Sequence, residues 1–267
     1  MKMSEVEKLL MQSTGDSHLE IKIPSTGEII NLKSMTVGHR KSMIKYASNG
    51  NEQEQILNFQ IAKLGLIKAL SLSEFNENIL TEVDFIYILA HIRMNNILDD
   101  LVLDNIKCPK CKTIFKHNVN FIEICKKCEQ YKFIKEEVII KDKAGNEWKF
   151  QLADPTIYDI ITLEKYFLAS SAKYIIKQLS WPFLYIKSIK LNNNLIEDFA
   201  QEDILKRIEF FDSLPESVPV FEKNGLIKLI SDRFDINNIK EIYGKIQCPK
   251  CNHNIEGVIT SDSFFTL

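Results

Sequence analysis

Apolar and polar residues change period several times along this chain, and each change marks an element. Leu19-Glu20-Ile21-Lys22-Ile23 alternates with the period of two expected of a half-buried strand. Pro24-Ser25-Thr26-Gly27 supplies turn chemistry, and Ile29, Ile30 and Leu32 form the return strand. Thr36 predicts an N-cap for a helix running to about Ala47. A longer helix follows Asn51, with Leu57, Ile61 and Leu64 on one stripe. After Thr81, the residues Val83, Ile86, Tyr87, Ala90, Met94, Ile97, Leu98 and Leu101 recur three or four apart, which predicts a helix with one apolar face. Residues 1–17 are mostly polar with one short amphipathic run (Val6, Leu9, Leu10) and predict an arm or a short helix.

The pattern then starts again. Val138-Ile139-Ile140, a turn at Lys143-Ala144-Gly145-Asn146, and Trp148, Phe150 and Leu152 predict a second hairpin. Asp154-Pro155-Thr156 reads as a helix start with Asp154 as the cap and proline at the first helical position. Ile157, Ile160, Ile161, Phe167 and Leu168 give that helix its apolar face, and Trp181-Pro182 breaks the run. Helices around Ile204–Phe211 and from about Ser217 to Phe234 follow. Hairpin, cap and helices thus occur twice in the same order, which points to an internal duplication covering about 19–121 and 138–259. The fold class expected is α+β: mainly helical, with short antiparallel hairpins and a zinc-ribbon or knuckle insertion. The expected division is an N-terminal arm (1–18), a first repeat (19–104), a zinc ribbon (105–137), and a second repeat with a terminal knuckle (138–267).

Candidate chemistry lies in the cysteines. All six sit in Cys-x-x-Cys pairs: Cys108/Cys111, Cys125/Cys128 and Cys248/Cys251, the first and last within identical Cys-Pro-Lys-Cys tetrapeptides. Two such pairs thirteen residues apart match the ligand spacing of a structural Zn²⁺ site, so Cys108, Cys111, Cys125 and Cys128 are the expected ligands. A rival grouping joins Cys108 and Cys111 to Cys248 and Cys251 across the duplication. His117 and His253 lie near the knuckles and could complete a shell.

Composition narrows the rest. The 267 residues are 45% hydrophobic and 26% charged with a formal net charge of −2, enough for a real core and without a global pull toward nucleic acid or membrane. No apolar run is long enough to span a bilayer, and the start at Met1-Lys2-Met3 lacks the apolar core of a secretory signal. Residues 107–135 form a basic island with interspersed Phe115, Phe121, Tyr131 and Phe133, a mixture that can bind nucleic acid or simply solubilise a small metal module. The five histidines form no His-x-x-x-His pair, and nucleophile-elbow, phosphate-loop and dinucleotide-binding motifs are absent. Nothing argues for an enzyme.

Ile23-Pro24-Ser25-Thr26-Gly27, Met35-Thr36, the helix around Ile92-Arg93 leading into Cys108-Pro109-Lys110-Cys111, and Asn118-Val119-Asn120-Phe121 form a pattern. Together these segments resemble the baseplate hub assembly and structural proteins of T-even-type contractile-tailed bacteriophages. The Asp154-Pro155-Thr156 start, the late knuckle and the closing Ser263-Phe264-Phe265 also fit, while Cys125/Cys128 depart from the pattern. The resemblance implies a tail protein that binds other hub proteins, catalyses no covalent chemistry, and acts in the host cytoplasm during assembly or in the virion baseplate. Phe264-Phe265 and the apolar helix stripes are the expected partner surfaces. A zinc-ribbon nucleic-acid-binding accessory protein is the alternative.

Overall fold

The computed structural model describes residues 18–97, 100–170, 180–199, 204–233, 237–257, 259 and 264–265; the arm expected over 1–17 lies outside them. Helices and antiparallel sheets mix as an α+β fold. The chain forms two compact units, and the first combines the described residues of Met1–Glu77, Val83–Glu129 and Tyr243–Leu267. The second comprises Asn78–Glu82 and the described residues of Gln130–Ile242. The division at Glu129 falls inside the segment 105–137.

Unit one begins with the hairpin β1 (Leu19–Lys22) and β2 (Ile29–Leu32), in register Leu19↔Leu32 through Lys22↔Ile29. Gly27 holds φ 75° in the turn, a conformation that a side chain disfavours. Helix α1 (Val37–Ala47) is capped reciprocally: His39 N–H donates to Thr36 Oγ1, and Thr36 N–H donates to His39 Nδ1. Helix α2 (Glu52–Leu70) has the same device from Asn51 and Glu54. It buries Leu57, Leu66, Ile67 and Leu70, together with Lys63 stacked over Phe59 and Phe85.

Helix α3 (Glu82–Asn96) departs from the one-faced expectation. Residues Val83 through Ala90, with Ile92 and Arg93, are all buried, so it is the core around which unit one packs. Its buried Asp84 accepts the Ser25 N–H at 2.9 Å and the Ser25 hydroxyl, anchoring the first turn. The hairpin β3 (Val102–Lys107) and β4 (Ile114–Asn118) follows, then α4 (Phe121–Glu129). From the far end of the sequence come the short strands β9 (Ile246–Gln247) and β10 (Asn254–Ile255), and then Phe264 and Phe265. Both phenylalanines are buried, and Phe264 meets Phe121 edge-on at 4.9 Å. This corrects their reading as partner surface: two large aromatic side chains gain more from the core than from solvent exposure.

Unit two is a four-stranded antiparallel sheet in the order β5 (Lys135–Lys141), β6 (Glu147–Ala153), β7 (Ile186–Leu191), β8 (Asn194–Asp198). Its inner face presents Val138, Ile140, Trp148, Phe150, Leu152 and Ile189 to α5 (Ile157–Ser170), α6 (Ile204–Asp212), α7 (Leu226–Arg233) and the 3-10 turn at Trp181–Tyr185. A short α8 (Asn237–Tyr243) leads out of it. Thr156, not Asp154, caps α5. Asp159 N–H donates to Thr156 Oγ1 at 3.1 Å, while Asp154 accepts from Tyr131 Oη and from the Ile134 N–H. Asp154 therefore serves a longer-range pairing that local spacing does not reveal. Buried Arg207 donates to the carbonyls of Leu184 and Phe199, with Asp159 at 3.6 Å. The helix expected from Ser217 is shorter at its start, because turns occupy 215–225 and α7 begins at Leu226.

Candidate metal centre

Each knuckle is built by a hairpin that turns through its cysteines. In the first, Ile106↔Phe115 and Lys107↔Ile114 close the strands. Cys108 N–H donates to Thr113 O at 2.9 Å, and Lys112 N–H donates to Cys108 O at 3.0 Å. In the second, Ile246↔Ile255 and Gln247↔Asn254 pair. Cys248 N–H donates to His253 O and Asn252 N–H to Cys248 O, both at 2.9 Å. Lys112 (φ 61°) and Asn252 (φ 55°) take the same left-handed position just after the second cysteine of each pair. The identical tetrapeptides therefore fold identically.

Unit one brings the two knuckles together. Cys108 Sγ lies 3.6 Å from Cys251 Sγ, Cys111 Sγ lies 3.6 Å from Cys248 Sγ, and all four sulfurs fall within 4.8 Å of one another. Four sulfurs at about 2.3 Å from a tetrahedral Zn²⁺ stand about 3.8 Å apart, so this spacing fits a metal with little movement. Cys108 and Cys248 are buried; Cys111 and Cys251 are half-buried.

The knuckle backbone favours anionic sulfur. The N–H groups of Cys111 and Lys110 hold the Cys108 thiol below its ordinary value, against the effect of burial. The Thr113 hydroxyl, 3.3 Å from Cys111 Sγ, and the Thr113 N–H bring Cys111 down to about 6. Cys251 receives the His253 N–H, yet burial and the neighbouring sulfurs outweigh it and push that thiol up to about 12. Anionic sulfurs this close repel one another. A divalent metal removes that conflict.

Cys125 and Cys128 are placed elsewhere. Asn120 caps α4 through the Glu123 N–H, and the segment becomes a helix instead of the second leg of a ribbon. Phe121, Ile124, Cys125 and Cys128 form its buried face, so both cysteines act as small apolar side chains. Burial, reinforced by the Glu129 carboxylate, pushes Cys125 up to about 12; burial, Cys125 and Asp84 raise Cys128 further. Among the described residues, Cys108, Cys111, Cys248 and Cys251 are the group that could hold a metal; neither histidine ring beside the knuckles joins it. The grouping expected from local spacing is thus replaced by the one that spans the chain.

No protein-family model, curated protein or solved structure matches the chain. The knuckles' own chemistry therefore carries the functional reading. No described helix is long and apolar enough to cross a membrane.

Proposed function

We propose that this chain is a non-enzymatic assembly or structural protein of a contractile phage tail baseplate hub, held together by one structural Zn²⁺ on Cys108, Cys111, Cys248 and Cys251. The observation that carries the structural role is the closed four-sulfur group. It leaves no position for substrate or water on the metal, so the ion ties elements together and performs no hydrolysis. Zinc is preferred over harder ions because four thiolates are soft ligands in tetrahedral arrangement. An internal duplication underlies the architecture: a hairpin followed by a reciprocally Thr-capped helix occurs at Thr36 and again at Thr156, and the knuckles repeat. The hub assignment rests on the resemblance of segments described above and places the chain in the host cytoplasm or the tail.

Deleting the gene from its phage tests the reading: heads should form while tails stop at an incomplete hub. Normal tails would refute it. Salt-dependent DNA binding through the exposed Lys107, Lys110 and Lys250 would then favour the nucleic-acid alternative.

A further inference from the structure

Two sulfur contacts in the metal centre run from one knuckle to the other. Cys108 Sγ meets Cys251 Sγ at 3.6 Å, and Cys111 Sγ meets Cys248 Sγ at 3.6 Å. Each contact joins a half-buried cysteine to a buried one: Cys251 to Cys108, and Cys111 to Cys248. A solvent-reachable thiolate beside a second sulfur is where oxidation begins and where it resolves as a disulfide. An S–S bond is about 2.05 Å long, so each sulfur of a pair moves only about 0.8 Å toward its partner. A side-chain shift of that size leaves both knuckle turns in place, with Cys108 N–H on Thr113 O and Cys248 N–H on His253 O.

We propose that a peroxide converts this centre into two cross-knuckle disulfides, Cys108–Cys251 and Cys111–Cys248, with release of the metal. The Cys111 and Cys251 thiolates each attack one peroxide oxygen. An S–O bond forms, the O–O bond breaks, and hydroxide leaves to be protonated as water. Cys248 then attacks the Cys111 sulfur, and Cys108 attacks the Cys251 sulfur. An S–S bond forms, the S–O bond breaks, and the departing oxygen becomes a second water on protonation. Each disulfide thus takes two electrons from two thiolates, reduces one peroxide to two waters and consumes two protons. The divalent ion leaves because none of its ligands remains a thiolate.

Oxidation in this form substitutes covalent bonds for the ion. The disulfides join residues 143 and 137 positions apart, the span that the metal bridges, so Tyr243–Leu267 stays tied to unit one after metal loss. Disulfides within each knuckle would leave the two knuckles unjoined. The metal release rests on the zinc reading above, whereas the pairing rests on the sulfur geometry alone.

The test titrates the zinc-loaded full chain with hydrogen peroxide, blocks free thiols with N-ethylmaleimide, and digests with trypsin without reduction. Cleavage after Lys110 and Lys250 separates the two cysteines of each knuckle, so every link is read unambiguously. Mass spectrometry should find the Cys108–Cys251 and Cys111–Cys248 links, and a zinc-sensitive dye should record the ion released as peroxide is consumed. On a non-reducing gel the closed 137-residue loop should make the oxidised chain run ahead of the reduced one. Cys111→Ser should keep the Cys108–Cys251 link and lose the other, and Cys125→Ala with Cys128→Ala should keep both. The wild-type map decides the matter even where a variant does not fold. Links inside a knuckle, links between chains, sulfinic acid in place of disulfides, or zinc and free thiols persisting in excess peroxide overturn the proposal. A chain purified without zinc refutes the metal reading instead, and the pairing is then read on the metal-free protein.

Discussion

Exchanging Cys248 and Cys251 for alanine removes half of the four-sulfur group, whereas exchanging Cys125 and Cys128 removes two packed thiols from α4. The two double variants should behave in opposite ways. After dialysis against a weak chelator, elemental analysis should find equimolar zinc in the Cys125/Cys128 variant and almost none in the other. The native fold matters here because Cys111 and Cys248 stand 137 residues apart. Closing a loop of that length in an unfolded chain costs about 5 kcal/mol, so the ion strongly prefers the folded state. With free zinc at about 100 times its dissociation constant, that preference stabilises the unit holding the site by about 2.7 kcal/mol. The Cys125/Cys128 variant instead loses about 1 kcal/mol per thiol from the apolar contacts it removes. The chain's two tryptophans, Trp148 and Trp181, both lie in unit two, so their fluorescence reports a unit without the site. Zinc removal should leave the tryptophan transition in place while a separate far-ultraviolet circular dichroism transition moves down. Zinc lost with Cys125/Cys128 and retained without Cys248/Cys251 would refute the assignment.

Three further outcomes follow from particular contacts. Lys112→Gly relieves a left-handed residue that costs about 1 kcal/mol, and should raise zinc affinity in a chelator competition, while Asn252→Gly changes little because asparagine tolerates that region. Arg207→Met leaves the Leu184 and Phe199 carbonyls without their donor and removes a cation from Asp159, and should cost about 3 kcal/mol in a tryptophan-monitored urea titration. His91 packs edge-on to Tyr87 with its buried Nε2 making no hydrogen bond, and burial lowers its pKa below the ordinary 6.5 despite Glu129. The unfolded state then binds the proton first, so stability falls as pH drops below about 6.5 and levels off once the folded form titrates. His91→Phe should flatten that part of the profile relative to the wild type, read from the circular dichroism transition.

Much of the local structure was legible because it is set by neighbours in sequence. Thr36 and Asn51 cap their helices, Gly27 and Gly145 turn their hairpins, and Val138–Leu152 pairs as its alternation predicts. The hairpin β7–β8 carries a local signal too: Asn192 and Asn193, both at positive φ, are a two-residue turn between Ile186–Leu191 and Asn194–Asp198. What spacing could not provide was long-range choice. Cys125-Lys126-Lys127-Cys128 satisfies ligand spacing, yet the apolar period of Phe121, Ile124, Cys125 and Cys128 makes it a helix face. The matching partner for Cys108 and Cys111 depended on where Tyr243–Leu267 returns, and that is a tertiary fact.

The 137-residue separation of the paired cysteines also sets a clock. At roughly 5–20 residues per second, a ribosome that has made the first knuckle takes about 7–27 s to make the second. Throughout that interval the nascent chain carries half of a chelating site. A neighbouring nascent chain carries the same half, with the same four letters. Two first knuckles from different copies can therefore close the same tetrahedron as the correct pair, and crowded polysomes favour that encounter. Abundant zinc and strong expression should thus yield metal-bridged chains that a chelator dissolves and a reductant does not.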